Sequence, residues 1–279
     1  MITLGIDIGG TKTSIGIVNI KNGRILDKKI IPSKKYKNDN KNFEFIVKTS
    51  LELIKGKNIK KIGIGVPELI NNKGIVKGNY NFNWNNRNLA NYFPNKFNIK
   101  VDSDVRCHLR AEKVYGLAKK YKNFIYINIG SGLSYAQFSN NKINSGGNGY
   151  AIHFASSQIY LYDWKKNKKL SLVPEDYYSG KEILIINKKF KNMKKNNLII
   201  DNVAKSIGSM VANLVNTVDP QNIVLGGGVI IHNTKLKKLI VKHTRVFILP
   251  KELKKIKIET SKLRDDTGLI GAASIFKRI

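Results

Sequence analysis

The chain has 279 residues, 42% of them apolar, and its 50 lysines and arginines against 19 aspartates and glutamates give a formal charge of +31. That composition excludes a disordered chain, and the length suffices to bury a core in one large domain or two small ones. A single cysteine, Cys107, excludes an internal disulfide framework and a multi-cysteine zinc site, and fits a reducing compartment.

No apolar run reads as long enough to cross a membrane, and the N-terminus enters a strand directly. A cytoplasmic protein with no leader and no membrane partner is therefore expected. The charge would draw any polyanion with strong salt dependence. Its lysines, however, are spread along the chain among many asparagines and isoleucines. The densest clusters, Lys55 to Lys61, Lys165 to Lys169, Lys188 to Lys195 and Lys251 to Lys257, fall where loops or exposed helix faces are expected. A solvated surface accounts for them, and a nucleic-acid partner is not expected despite the charge.

In chain order, Leu4, Ile6 and Ile8 alternate with Gly5 and Asp7 and predict a strand. Gly9-Gly10-Thr11 predicts a tight turn, and Ile15 to Val18 a returning strand. Glycines at such a turn let a bulky anion approach the backbone, Thr11 and Thr13 add hydroxyl donors, and Lys12 adds a positive charge. Asp7 lies within an apolar strand, where a carboxylate is unfavourable unless paired or metal-linked; it can hold a phosphate-bound Mg²⁺, directly or through water. Ile25 to Ile31 predicts a further strand, Ser33 to Lys41 a polar loop, and Phe43, Ile46, Val47, Ser50 and Ile54 one face of a helix ended by Gly56. Ile62 to Val66 predicts a buried strand stopped by Pro67.

Asn79 to Asn86 is an asparagine- and aromatic-rich loop around Trp84. Indole faces and amides suit a polyhydroxylated ligand, and an indole equally suits a core. Phe97 to Val101 predicts a short strand, and Asp104 then opens a helix to about Leu117, where a carboxylate can also cap free amides. Phe124 to Ile129 repeats the opening: an apolar strand runs into Gly130-Ser131-Gly132 and a second strand, closed by an Asn140-Asn141 hairpin. A helix from about Ile199 to Val218 places Val203, Ile207, Met210, Val211 and Leu214 on one face and ends at Asp219-Pro220. The strand Ile223 to Leu225 then leads into Gly226-Gly227-Gly228.

Asp7-Ile8-Gly9-Gly10-Thr11-Lys12 resembles the phosphate-binding hairpin of the sugar-kinase and actin superfamily, in the form of its ROK branch of repressors, open reading frames and kinases. Further segments follow in that family's order. Gly63 to Pro67 is similar to its G-I-G-x-P stretch, with Glu68 and Leu69 where Gly-Pro is usual. Trp84 falls in its Pro-Asn-x-x-x-Trp region near the sugar. Val101 to Arg106 is similar to V-x-N-D-A-N, with Ser103 and Arg106 replacing asparagines, and Gly130 to Gly132 resembles the second phosphate motif. Gly146 to Ala151 resembles G-A-N-G-Y-A. Without gaps, His153 then stands at the sugar-binding Glu and Ser156 at the zinc-binding His; sliding three residues makes His153 the zinc-type His but requires a deletion. The family's three zinc cysteines are replaced by Trp164 to Leu172. Pro174 to Gly180 resembles C-L-E-x-x-x-S-G, with Glu175 on the sugar-contacting carboxylate. Gly226 to Gly228 looks like the adenosine motif, and Asp265 to Ala273 matches D-D-x-G-L-x-G-A-A.

The resemblance implies an α/β protein of two ribonuclease-H-like domains, the actin-like ATPase fold, facing a cleft. Residues 1–106 would form the first, with 268–279 packing back on it, and 107–267 the second. It implies a sugar kinase using ATP and Mg²⁺, with Asp104 as general base. Asp7, Gly9, Gly10, Thr11, Lys12, Thr13, Gly130, Ser131, Gly132, Gly226, Gly227 and Gly228 would hold the nucleotide, and Asp7 the Mg²⁺. Glu68, Trp84, Ser103, Asn148, His153 and Glu175 would meet a hexose, amino sugar or related substrate. A homodimer and a zinc-free lobe are expected. The core starts at Ile2, so no DNA-reading segment ahead of it is expected. Two rival readings stand beside this one: a catalytically weakened sugar-binding or regulatory member of the family, suggested by Ser103, Arg106, His153 and the lost cysteines, and a basic nucleic-acid-binding protein.

Overall fold

The first sheet begins as a meander. β1 (Ile2–Ile8) pairs antiparallel with β2 (Lys12–Asn19), and β2 with β3 (Arg24–Pro32). In this computed structural model residues 1–190 and 196–279 are described, so the greater part of the Lys188–Lys195 cluster lies outside the described residues. A helix, α1 (Asp39–Leu53), crosses to β4 (Lys61–Val66), which pairs parallel with β1. β5 (Asn98–Ser103) pairs parallel with β4, giving the order β3-β2-β1-β4-β5. Asn38 caps α1 by accepting from the Asn40 and Lys41 amides, so the helix starts inside the stretch predicted as loop from Ser33 to Lys41. Its buried face, Phe43, Ile46 and Val47, closes a core with Leu4, Ile6, Ile8, Ile15, Ile62 and Ile64.

After α2 (Asp104–Val114), the plan recurs. β6 (Phe124–Ile129) turns into β7 (Leu133–Ser139), which pairs antiparallel with β8 (Lys142–Asn144). A two-stranded ribbon follows, β9 (Ile159–Asp163) and β10 (Lys168–Leu172), and it is exposed on both faces. Then come α3 (Glu175–Tyr178), α4 (Gly180–Phe190) and α5 (Asn196–Val218). β11 (Asn222–Gly226) pairs parallel with β6 and, after α6 (Gly228–His232) and α7 (Thr234–Phe247), with β12 (Lys257–Thr260). The second sheet has the order β12-β11-β6-β7-β8. The last helix is α8 (Thr267–Ala273). By length and hydropathy α5 could cross a membrane, but Val203, Ala204, Ile207, Val211, Ala212 and Val215 are buried in the core with Ile125, Ile127 and Ile223.

Two compact units result: Met1–Lys122 with Ala136–Ile152 and Lys262–Ile279, and Asn123–Tyr135 with His153–Ser261. The first therefore extends past the expected boundary at Arg106, because α2 packs against α8 and β4. The lysines of the clusters at 55–61, 165–169 and 251–257 are exposed apart from half-buried Lys61.

Candidate functional site

In the first unit, three parallel strands bring two acids to one edge. Asp7 is paired in register with Gly65, and Gly65 with Asp102, so the C-terminal ends of β1, β4 and β5 are level. Ligands of open α/β sheets are met at that edge. Beyond Asp7, the Gly9 N–H donates to the Lys12 carbonyl at 3.0 Å and closes the turn, and the Ser33 N–H donates to the Thr11 carbonyl at 3.0 Å. Thr11 and Lys12 are exposed. Thr13, expected to offer a hydroxyl to phosphate, is fully buried and shares that hydroxyl with Ser33 at 2.8 Å, so it supports the turn from within.

Beyond β5, Ser103 caps α2, its Oγ accepting from the Arg106 N–H at 3.4 Å. Asp104 is the first helical residue, with Oδ1 accepting from the Val105 N–H at 2.6 Å. Burial pushes the Asp7 carboxyl up to about 7 against the pull of Lys12. Burial, and next the negative charge of Asp7, push Asp104 up to about 7 as well; Glu68 adds to this, while the Val105 N–H and Arg106 oppose it. A Cβ at Gly268, near the start of α8, would collide with the Asp7 carboxylate, so α8 covers that acid closely.

Three residues expected to meet a sugar are buried in this unit. Trp84 is completely buried, stacked on Phe82 with ring centroids 4.1 Å apart, and its Nε1–H donates to the Asp39 carbonyl at 3.1 Å. Ser103 is completely buried as the helix cap. Glu68 is 2% exposed, and its two oxygens accept the Tyr80, Asn81 and Phe82 amides at 3.0, 2.6 and 2.9 Å. Burial raises its pKa and those three bonds oppose the rise, so Glu68 organises the 80–82 loop. Asn148 is exposed.

In the second unit, the Gly130 N–H donates to the Gly132 carbonyl at 3.0 Å, closing the second turn, and Ser131 is exposed. The next amide, Leu133 N–H, donates to Glu175 Oε1 at 2.6 Å. The Ser156 hydroxyl donates to Glu175 Oε2, and His153 Nδ1 lies 3.1 Å from that hydroxyl. Burial lowers the His153 pKa while Glu175 opposes it. Both Glu175 oxygens are thus engaged within the unit, and this half-buried carboxylate braces the turn. Gly226 is buried under the Tyr126 hydroxyl. Gly227 has φ +90°, and a Cβ there would collide with the Ile129 carbonyl and lie 2.7 Å from Asn128 Oδ1. Gly228 is exposed with open space around its Cβ position, a bare surface for a flat ring.

The sequence pattern did not link Ser156 to His153 and Glu175, nor Arg106 to Asp102, although the latter two stand at i,i+4 spacing.

Two sheets of one plan, each with a glycine turn beyond its leading strand, define an α/β protein of the actin-like ATPase fold. The fold is that of a ROK family glucokinase from Streptomyces griseus solved with glucose and AMPPNP, at TM-score 0.84 and 21% identity over 99% of each chain. The ROK family model matches residues 3–159 and 163–279, and the chain belongs to that family. It is 28% identical to a xylose repressor of Caldicellulosiruptor bescii over 78% of the chain, spanning 63% of that repressor's length. It is 23% identical to a glucokinase of Thermotoga maritima over 98% of the chain and 96% of the relative.

Proposed function

We propose that the chain transfers the γ-phosphoryl group of ATP to a hydroxyl of a hexose, amino sugar or related sugar. The observation that carries this reading is the pair Asp7 and Asp104, desolvated at one sheet edge beside a glycine turn. A carboxyl titrating near neutrality is ionised in part at working pH and still basic enough to take the proton of an attacking hydroxyl, and that is the role of Asp104. ATP with Mg²⁺, when bound, supplies the electrophilic phosphoryl group. The donors fit magnesium: Asp7 offers a half-buried carboxylate whose charge a bound cation would favour. Among the described residues no three His, Cys, Asp or Glu side chains converge, which suits an ion keeping water and phosphate oxygens as its other ligands. In the first unit the Gly9–Lys12 turn offers phosphate oxygens its amides other than that of Gly9, which the Lys12 carbonyl holds; in the second unit Gly228 leaves room for a flat ring. A cytoplasmic homodimer is part of this proposal.

A second reading is supported by the burial of Glu68, Trp84 and Ser103, three of the expected sugar contacts, and by the repressor relative. In it the chain binds a sugar without turnover. Coupled detection of ADP release across hexoses, amino sugars and pentoses decides between them. Sugar-dependent ADP release that disappears in Asp104→Asn supports the kinase; calorimetric sugar binding with no ADP release at any sugar supports the second reading.

A further inference from the structure

Arg106 stands in the first turn of α2, where the helix dipole disfavours a cation, and it is only 4% exposed. Burying a guanidinium there is unfavourable unless its donors are satisfied. They are. Nε donates to Asp102 Oδ1 at 2.5 Å, one terminal nitrogen to the Gly149 carbonyl at 2.6 Å, and the other to the Ile70 carbonyl at 3.2 Å. The acceptors come from three places: the end of β5, the segment after β4, and the 145–151 loop after β8.

The last two segments are joined elsewhere as well. Asn72 Nδ2 donates to the Gly147 carbonyl at 2.7 Å, and the Ser145 hydroxyl lies 3.3 Å from Asn72 Oδ1. Gly149 has φ +91°, and a Cβ there would collide with the Ile70 carbonyl. Within the loop, the Ala151 amide donates to the Ser145 carbonyl at 3.1 Å and the Gly146 amide to Asn144 Oδ1 at 3.1 Å. Exposed Asn148 therefore sits on a loop whose flank is fastened to the residue two places beyond Asp104.

We propose that Arg106 is a positioning residue: its three-way hydrogen bonding locks the 145–151 loop, and Asn148 with it, against the start of α2. That the locked loop serves a sugar rests on the kinase reading; the lock itself does not. A planar fork with donors on three nitrogens can serve three acceptors at once, whereas a lysine ammonium is a single point that keeps the Asp102 pair and loses the carbonyls.

The test is Arg106→Lys, which preserves the buried charge pair, with Asp102→Asn/Arg106→Gln as a second variant that removes both charges. Hydrogen exchange of the Gly146 and Ala151 amides reads the lock, and steady-state kinetics read its use. In both variants these amides are expected to exchange at least about tenfold faster while exchange in the Gly9–Lys12 turn is unchanged. The sugar KM should rise about tenfold with the ATP KM within about twofold. Unchanged exchange at Gly146 and Ala151 in a folded Arg106→Lys protein overturns the lock, whatever the kinetics. Faster exchange with an unaltered sugar KM overturns the positioning role. Faster exchange in a chain that phosphorylates no sugar upholds the lock and refutes the kinase reading.

Discussion

Asp104→Asn should produce a protein that is inactive and more stable, with the gain confined to one range of pH. Burial and the neighbouring Asp7 raise Asp104 from the ordinary aspartate value of 3.8 to about 7. An aspartate whose folded value lies above its unfolded one binds its proton more tightly when folded. Stability therefore falls as pH rises from 3.8 to about 7, and is level above that. At about 1.4 kcal/mol per pH unit, this carboxyl weakens the fold by about 4 kcal/mol at pH 8, where the folded chain holds it ionised, and by about 2 kcal/mol at pH 5, where folding must take up a proton. Asparagine carries no charge, and its amide oxygen can still accept from the Val105 N–H. For a chain of this length the variant should melt about 5 to 10 °C above the parent at pH 8, with about half that gain at pH 5. Calorimetric melting without Mg²⁺ at both pH values measures it, and turnover should drop about 100- to 10,000-fold. A gain equal at the two pH values, or none at pH 8, refutes the assignment of Asp104 as a desolvated base.

The glycines at the end of β11 should separate by role. Gly227→Ala forces a Cβ into the Ile129 carbonyl at a positive φ and should lower the melting temperature, whereas Gly228→Val should leave melting unchanged and weaken binding of a non-hydrolysable ATP analogue by calorimetry. Equal nucleotide affinity in a folded Gly228→Val protein would move the adenosine elsewhere. Glu175→Ala leaves the Leu133 amide without its acceptor, so nucleotide affinity should fall about tenfold while the sugar KM changes little. The reverse pattern would return Glu175 to the sugar.

Features carried by local pattern were legible. Gly9-Gly10-Thr11 and Gly130-Ser131-Gly132 each announce a turn after an apolar strand, and Asp104 announces a helix start. The same pattern misplaced what depends on distant partners. Trp84 sits in a polar asparagine-rich loop and suits a ligand or a core equally by pattern; Phe43 of the distant α1, together with Phe82 two residues back, places it in the core. Glu68 reads as a departure from the family's Gly-Pro, and only the return of the chain at Tyr80 to Phe82 supplies the three amides that its carboxylate accepts. Arg106 reads as a departure from the family's asparagine, because its partners are two main-chain carbonyls that carry no signature in side-chain identity.

The order in which the chain is made bears on α8. This helix belongs to the unit begun by β1, yet everything from His153 to Ser261 lies between them in sequence. It meets the early strands backbone to backbone, Ala272 over Gly63 and Leu269 over Gly5, with Gly271 against Cys107. On the ribosome the second unit is therefore complete while the first still has bare strands, since domains fold as their residues emerge. Asp7 is enclosed only when Gly268 arrives. A polypeptide halted before residue 262 would carry both glycine turns but not the shielded acid beside the first. The carboxylate pair is a late event in biosynthesis, and nascent or truncated chains should leave Asp7 open to water where the finished protein covers it with Gly268.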